Sequence, residues 1–303
     1  MTTPLVSILI ANHNNSMYIG EAMDSALAQS YRNIEVVVVD DASTDDSLNV
    51  IKNYISSHPE GRISLYQNYA SHGCGRVKRK CVDIARGDYF AFLDPDDAIA
   101  PDAVEKLLSI HEKDNCYSIV YSTHFLCDEN LKVKGVAYWP GEIPLGKSNL
   151  TSNTGHISAF ALCKKSCYDQ TAGINPEYIV AEDQDLYFKM EETSPVFFLN
   201  EPLYYYRKHD HNMSYDDDKE VRNAYWLMLC KDAAYHRRKQ LFPCIPNLTK
   251  RDLQVCRLEY YLKDTKARKQ QGLRWAGSLF KVVLFSVFSV RKGFRGIRAI
   301  LSR

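Results

Sequence analysis

Three carboxylates crowd the end of one apolar run: Tyr89 to Leu93 is followed at once by Asp94, Pro95, Asp96 and Asp97. A short run with aromatic content, bounded by a turn, reads as a buried strand, so the acids stand at its C-terminal end. In an open parallel α/β sheet that is the edge where ligands bind. Like charges held together repel unless a cation sits among them. Hard carboxylate oxygens suit Mg²⁺ or Mn²⁺, bridged to substrate phosphates. The same residues also read as a solvated acidic turn ahead of the helix that Pro101 begins, and the pattern by itself leaves both readings open.

Further groups able to do chemistry stand at other element ends. Ile34–Val39 runs into Asp40-Asp41. Ile179–Met190 contains Glu182-Asp183-Gln184-Asp185 at a helix start, where the helix dipole favours acids. Leu203–Arg207 runs into Lys208-His209-Asp210-His211.

The elements that must position them alternate. Val6–Ala11 is a strand, Tyr18–Ser30 a helix, Ile34–Val39 a strand, and Ser43-Thr44-Asp45-Asp46 reads as a capping box for a helix with Leu48, Ile51, Tyr54 and Ile55 on one face. Ile63–Tyr66, Arg76–Arg86, Tyr89–Leu93 and Pro101–Glu112 continue strand, helix, strand, helix. Strands this continuous in Val and Ile, alternating with helices, imply a mostly parallel sheet covered on both faces. Ser118–Phe125 is a fifth strand, followed by a polar stretch with a hairpin through Asn153. Ile157–Cys163, Pro195–Leu199 and Leu203–Arg207 read as further strands. Asp216–Gln240, Thr249–Gln270 and Leu273–Ser302 read as helices, so the chain divides into an α/β domain over 1–215 and a helical region over 216–303.

With 303 residues, 25 % charged and 45 % hydrophobic, the composition is that of a globular protein, and a net charge of +1 gives no reason to expect a nucleic-acid partner. Nine cysteines without a CxxC pair point to neither a zinc site nor a disulfide framework, and buried thiols in a reducing cytoplasm are expected. Leu5–Ala11 lacks the basic flank and cleavage pattern of a signal peptide and reads as a strand. Gly73-Cys74-Gly75 is followed by Lys78 where a dinucleotide fingerprint needs a third glycine, so that reading fails.

The ordered set VSILIANHN, VVVVDDAST, GDYFAFLDPDD, AEDQDL and YYYRKHDHNMS, over Leu5 to Ser214, resembles the family 2 inverting glycosyltransferases of GT-A fold. The resemblance implies a nucleotide-sugar donor, a UDP-sugar foremost, a divalent cation and direct displacement with inversion. By the same resemblance Asp41 accepts from the nucleotide base, with a helix cap as its other reading. Asp94, Asp96 and Asp97 match the DxDD motif, with Asp96 and Asp97 dividing the ribose hydroxyl and the metal. Asp183 matches the catalytic base, against a surface helix cap. His209 matches a histidine that reaches the metal or diphosphate, with His211 or a plain loop histidine as alternatives. Two departures stand out. Relatives carry Arg-Asn where this chain has Lys78 and Arg79, which keeps the phosphate-binding charge at Lys78 and moves the arginine by one residue. Ala11-Asn12-His13-Asn14 replaces Pro-Thr-Tyr-Asn, which sets Ala11 and His13 beside the base. A catalytically silent nucleotide-sugar-binding scaffold is the competing reading.

From Thr265 to Arg303 the chain has basic residues and no acid. Within it Leu279–Val290 is too short an apolar run for the ~20 residues of a membrane span. It reads as an interfacial helix on anionic lipid, or alternatively as a core helix. The first reading implies a peripheral protein on the cytoplasmic face of the membrane, with a lipid-linked or glycan acceptor.

Overall fold

The structure is a computed structural model that describes residues 3–152, 156–210, 217–241, 250–271, 273 and 276–286. The chain divides into two compact units, Met1–His209 and Asp210–Arg303.

The first unit opens with β1 (Val6–Asn12), α1 (Ile19–Leu27), β2 (Ile34–Asp41), α2 (Ser47–Ser57), β3 (Ile63–Asn68), α3 (Cys74–Ile84) and β4 (Tyr89–Phe92). It continues through β5 (Ala98–Ile99), α4 (Ala103–Lys113), β6 (Ile119–Cys127), β7 (Val133–Val136), β8 (Ala161–Lys164), α5 (Lys165–Tyr168), α6 (Glu182–Glu191) and β9 (Val196–Arg207). The sheet order is β3-β2-β1-β4-β8-β6-β9-β5, with β7 on β6.

The first half of this sheet is parallel, β2 with β3 and β1 with both β2 and β4. All of β2 is buried, as a strand covered on both faces must be. Val36 and Val38 pack with Ile8, Ile10, Met23 and Leu107 in one cluster. Val37 and Val39 pack with Leu9, Val77, Cys81 and Leu186 in the other. Beyond β4 the sheet is mixed: β8 runs antiparallel to β4 and β6, and β9 runs parallel to β6. The predicted parallel character therefore holds for β1 to β4, where βαβ crossovers enforce it, and gives way where hairpins and loops make the connections.

Several local expectations change. Ser43 does not cap α2. Its hydroxyl donates to Asp40 Oδ1 at 2.6 Å and accepts from the Asn14 amide, while Asp45 Oδ1 accepts the Ser47 amide at 3.0 Å. The strand expected over Ile157–Cys163 is confined to Ala161–Lys164. The two strands expected over Pro195–Leu199 and Leu203–Arg207 are one strand, β9, whose pairing with β6 shifts register around Thr123. The expected hairpin is β6 with β7.

The second unit contains α7 (Asp217–Leu241), α8 (Lys250–Gln270) and α9 (Ala276–Ser286). The helix expected as far as Ser302 is described only to Ser286, and the basic residues beyond lie outside the described residues.

Candidate functional site

The acidic turn follows β4 at the C-terminal edge of the parallel strands, and the Asp97 amide donates to the Asp94 carbonyl at 3.1 Å to close it. Its acids have different surroundings. Asp97 is 1 % exposed, and its oxygens accept from the Tyr204 hydroxyl and the Arg207 amide, each at 2.7 Å. Burial and the neighbouring Asp96 and Asp94 push its carboxyl well above the usual range. These two bonds tie the turn to β9.

Asp96 lies beside His209, with Nε2 3.0 Å from Oδ2. Burial first, and then the Asp94 charge, raise the Asp96 carboxyl, with the His209 hydrogen bond opposing. The Tyr18 ring stacks on His209 at 4.8 Å between centroids, and the Arg207 guanidinium lies 4.6 Å from the Tyr18 ring centre. Arg207 is nearly inaccessible. It donates to the Asp96 carbonyl at 2.5 Å, to the Glu129 carbonyl at 2.6 Å and to the Glu21 carboxylate. Arg207 thus fixes the backbone of the turn on one side and carries Tyr18, and with it the His209 ring, on the other.

Among the described residues no group of three His, Cys, Asp or Glu stands ready to hold a metal ion. The Asp96–His209 pair with Asp94 nearby nevertheless fits a cation that takes its remaining oxygens from a diphosphate. Cations of this type are commonly held by one or two carboxylates plus substrate phosphates, and an imidazole among the donors suits Mn²⁺.

A second acidic group meets this edge at the start of α6. Ala181 has the left-handed backbone, φ 62°, just before the helix, a conformation that costs a non-glycine residue about 1–2 kcal/mol. Glu182 is buried and paired with Lys78 at 2.8 Å, and the Cys74 thiol donates to it at 3.3 Å. Lys78 also lies 3.6 Å from Asp94. Despite the burial of Glu182, the Lys78 charge and hydrogen bond hold its carboxyl below the usual range. Asp183 is half-buried. Its Oδ1 accepts the Gln184 amide at 2.8 Å, and burial followed by the Glu182 charge pushes its carboxyl up to about 6. Asp185 faces Lys189 at 2.5 Å and accepts the Asn175 amide, so it belongs to the helix interior.

Gly75 makes the approach of α3 to this region possible. Its amide donates to the Tyr178 carbonyl at 3.0 Å, and a Cβ there would lie 2.3 Å from that same oxygen. Lys78 is held between Glu182 and Asp94. Arg79 donates to the Ala172 and Ile174 carbonyls at 3.2 and 3.1 Å.

At the ends of β1 and β2, Asp41 Oδ1 accepts from Asn68 Nδ2 at 2.8 Å and the His72 amide at 2.9 Å. Its Oδ2 accepts from the Ser71 hydroxyl at 2.9 Å and the Gly73 amide at 3.0 Å. These bonds outweigh burial and lower its carboxyl. The Asp41 carboxylate thus holds the 68–73 loop. Gly73, φ 86°, serves that loop with a backbone few other residues adopt. Ala11 is half-buried at the end of β1, and His13 is exposed, with Nδ1 2.8 Å from the Asp41 carbonyl. His211 lies outside the described residues.

Sequence reasoning missed Tyr204, Arg207 and the Lys78–Glu182 pairing. The aromatic run before Arg207 was the available signal for the first two; no local pattern announces a partner so far along the chain.

The fold is that of the GT-A glycosyltransferases. A Pyrobaculum calidifontis mannosyltransferase solved with GDP-Man and Mn²⁺ superposes with TM-score 0.64 at 17 % identity, over 99 % of this chain and 86 % of that one. Staphylococcus aureus TarS 1–349 in complex with UDP-GlcNAc gives 0.62 at 16 % identity, over 97 % and 90 %. At those identities the likeness concerns fold alone. The glycosyl transferase family 2 model matches residues 7–171. Chondroitin synthase of Escherichia coli is 34 % identical over 212 residues, which is 70 % of this chain and 30 % of that protein. An uncharacterized glycosyltransferase of Rickettsia typhi is 32 % identical over 219 residues, 69 % of this chain and 65 % of that one. The chain belongs to glycosyl transferase family 2. It spans less than a third of the Escherichia coli synthase and about two thirds of the rickettsial protein.

Proposed function

We propose that the chain transfers a sugar from a nucleotide-sugar, foremost a UDP-sugar, to a hydroxyl of a glycan or lipid-linked acceptor, with inversion at the sugar carbon and a requirement for Mn²⁺ or Mg²⁺. The observation that carries this reading is Asp183. It is a half-buried carboxylate at a helix start, raised to about 6, across an acidic cluster from the Asp96–His209 pair. A base of that strength is ionised at neutral pH and still able to take a proton. Its Oδ1 is held by the Gln184 amide, so Oδ2 takes the acceptor proton as the hydroxyl oxygen attacks.

Asp96 and His209 would hold the cation, with Asp94 beside them. When bound, the cation offsets the negative charge that develops on the leaving diphosphate. Asp97, Tyr204 and Arg207 keep the turn against β9. Lys78 neutralises Glu182, so that Asp183 is not raised beyond use. Ala11, His13 and the 68–73 loop anchored by Asp41 border the nucleotide. The UDP-GlcNAc and GDP-Man complexes of the two structural neighbours support a donor of this class.

No described helix is long and apolar enough to cross a membrane. On α9, Phe280, Val283 and Leu284 are exposed at 70 %, 49 % and 51 %, and their spacing puts them on one helix face. With the acid-free segment that includes them, this supports peripheral contact with anionic lipid on the cytoplasmic side of a membrane. Full-length protein should co-sediment with anionic vesicles at low salt and be released by truncation after residue 272. Equal sedimentation of both forms would remove the membrane assignment.

The central test is nucleoside diphosphate release from UDP-, GDP- and dTDP-sugars with Mn²⁺, followed by NMR of the product anomer. One donor should turn over and yield the opposite anomer. Binding of a donor without release under any metal would favour the scaffold reading.

A further inference from the structure

Within the first unit, Tyr138 is 90 % exposed and Trp139 is 38 % exposed, and their rings meet at 86° with centroids 5.4 Å apart. Two aromatic rings exposed side by side offer a ligand an apolar surface with polar tips. The segment that carries them is held at a fixed place. The Ala137 amide donates to the His124 carbonyl at 2.9 Å, and the Thr123 hydroxyl donates to the Ala137 carbonyl at 3.1 Å. The Tyr121 hydroxyl donates to the Gly141 carbonyl at 2.7 Å. Trp139 packs edge-on against the buried His124 ring at 5.2 Å, and His124 in turn meets Tyr206 at 5.7 Å. Burial pushes His124 down to about 4, so at neutral pH it is an uncharged support for the indole.

The same segment reaches both halves of the site. Tyr206 directly precedes Arg207, which holds the Asp96 carbonyl. Further along, Asn149 is 1 % exposed and donates through Nδ2 to Gln184 Oε1 at 3.4 Å, while Gln184 Nε2 donates to the Ile157 carbonyl at 3.4 Å. Gln184 follows Asp183. The segment that carries the rings thus starts against β6 and β9 and reaches α6 at Asn149, beside the residue that follows Asp183.

We propose that Tyr138 and Trp139 form a subsite for a pyranose ring of a glycan acceptor, one ring lying on the apolar C–H face of the sugar and the other standing at its edge, so that they orient the chain whose hydroxyl approaches Asp183. This deepens the proposed transfer reaction and rests on it. Two rings are far smaller than the ~800 Å² per partner of a protein interface, but they match a single sugar. Rings such as Tyr and Trp suit a ligand with one apolar and one wet side.

The test titrates the full chain, with UDP and Mn²⁺ present, with chitotetraose, cellotetraose and maltotetraose, followed by tryptophan fluorescence. At least one should give a saturable change. Trp139→Phe should abolish that signal, and Tyr138→Ala, at a nearly fully exposed position that leaves the fold alone, should weaken the sugar affinity about tenfold, the loss expected of roughly one aromatic contact. No response to any of the three sugars, or a response unchanged in Tyr138→Ala, overturns the subsite. So does a fluorescence change with anionic vesicles and none with sugar, which would make the rings a lipid contact. Donor hydrolysis without acceptor is measured in parallel on the parent. Its absence in the parent strikes the transfer reaction itself, while the sugar titration separately decides the subsite.

Discussion

The turn around Asp41 and the start of α6 treat the same side chain in opposite ways. Asp41 is surrounded by donors from Asn68, Ser71, His72 and Gly73, which lower its carboxyl despite burial. Asp183 has one local donor, a buried setting and the Glu182 carboxylate beside it, and it is raised to about 6. The Asp41 carboxylate, whose lone pairs are satisfied by the chain, is a structural anchor. A carboxylate that is kept short of donors retains a lone pair with proton affinity. Both stand at the sheet edge where a ligand would lie, so position alone does not distinguish them. The donor count does.

The largest expected effect breaks the α6 side of this contrast. Asp183→Asn keeps the shape and removes the proposed base, so turnover should fall by about 10²–10⁴-fold with donor affinity retained, as measured by kcat beside nucleotide titration. In the parent, kcat/KM should rise through pH about 6 and level off above it. A rate independent of pH across that range would separate Asp183 from the proton transfer.

Next, Asp96→Ala and His209→Ala should each weaken Mn²⁺-dependent nucleoside diphosphate binding at least about tenfold, since each removes one of the few proposed protein ligands. Calorimetric titration with and without Mn²⁺ reads this directly. Asp97→Ala should act differently: leaving the Tyr204 hydroxyl and Arg207 amide buried without their acceptor should lower stability by about 1–3 kcal/mol. Denaturant unfolding measures that loss. An unchanged midpoint in Asp97→Ala would show that Asp97 does not hold the turn.

On the other side, Asp41→Asn should destabilise the first unit by about 1–3 kcal/mol, because an amide presents hydrogens to donors that need an acceptor. The sign follows from the lowered carboxyl. The stabilisation from Asp41 is complete above the ordinary aspartate value and is lost as pH falls through its lower folded value. Asp183 runs the other way, since its raised carboxyl makes ionisation destabilising as pH rises from the ordinary value to about 6. The smallest effect is therefore a gain. Above pH 6 Asp183→Asn should stabilise the protein by on the order of 1 kcal/mol, visible as a raised Tm. A variant that lost stability as well as turnover would erase the contrast between anchor and base.

Much of the scaffold was legible in the chain itself. Continuous Val and Ile in β1 and β2 require burial on both faces, and that with alternating helices requires parallel pairing. The chain order of Asp41, Asp94 to Asp97, Asp183 and His209 set them at element ends, because polarity changes abruptly where apolar runs stop. What each acid does was decided only in three dimensions. The donors that occupy Asp97 come from Tyr204 and Arg207, 107 and 110 residues away, and the thiol on Glu182 comes from 108 residues away. Sequence lists which residues carry charge and where the apolar runs end, and those are local properties. A carboxylate's proton affinity depends instead on which donors and charges reach it within a few ångströms, and only chain closure brings those together.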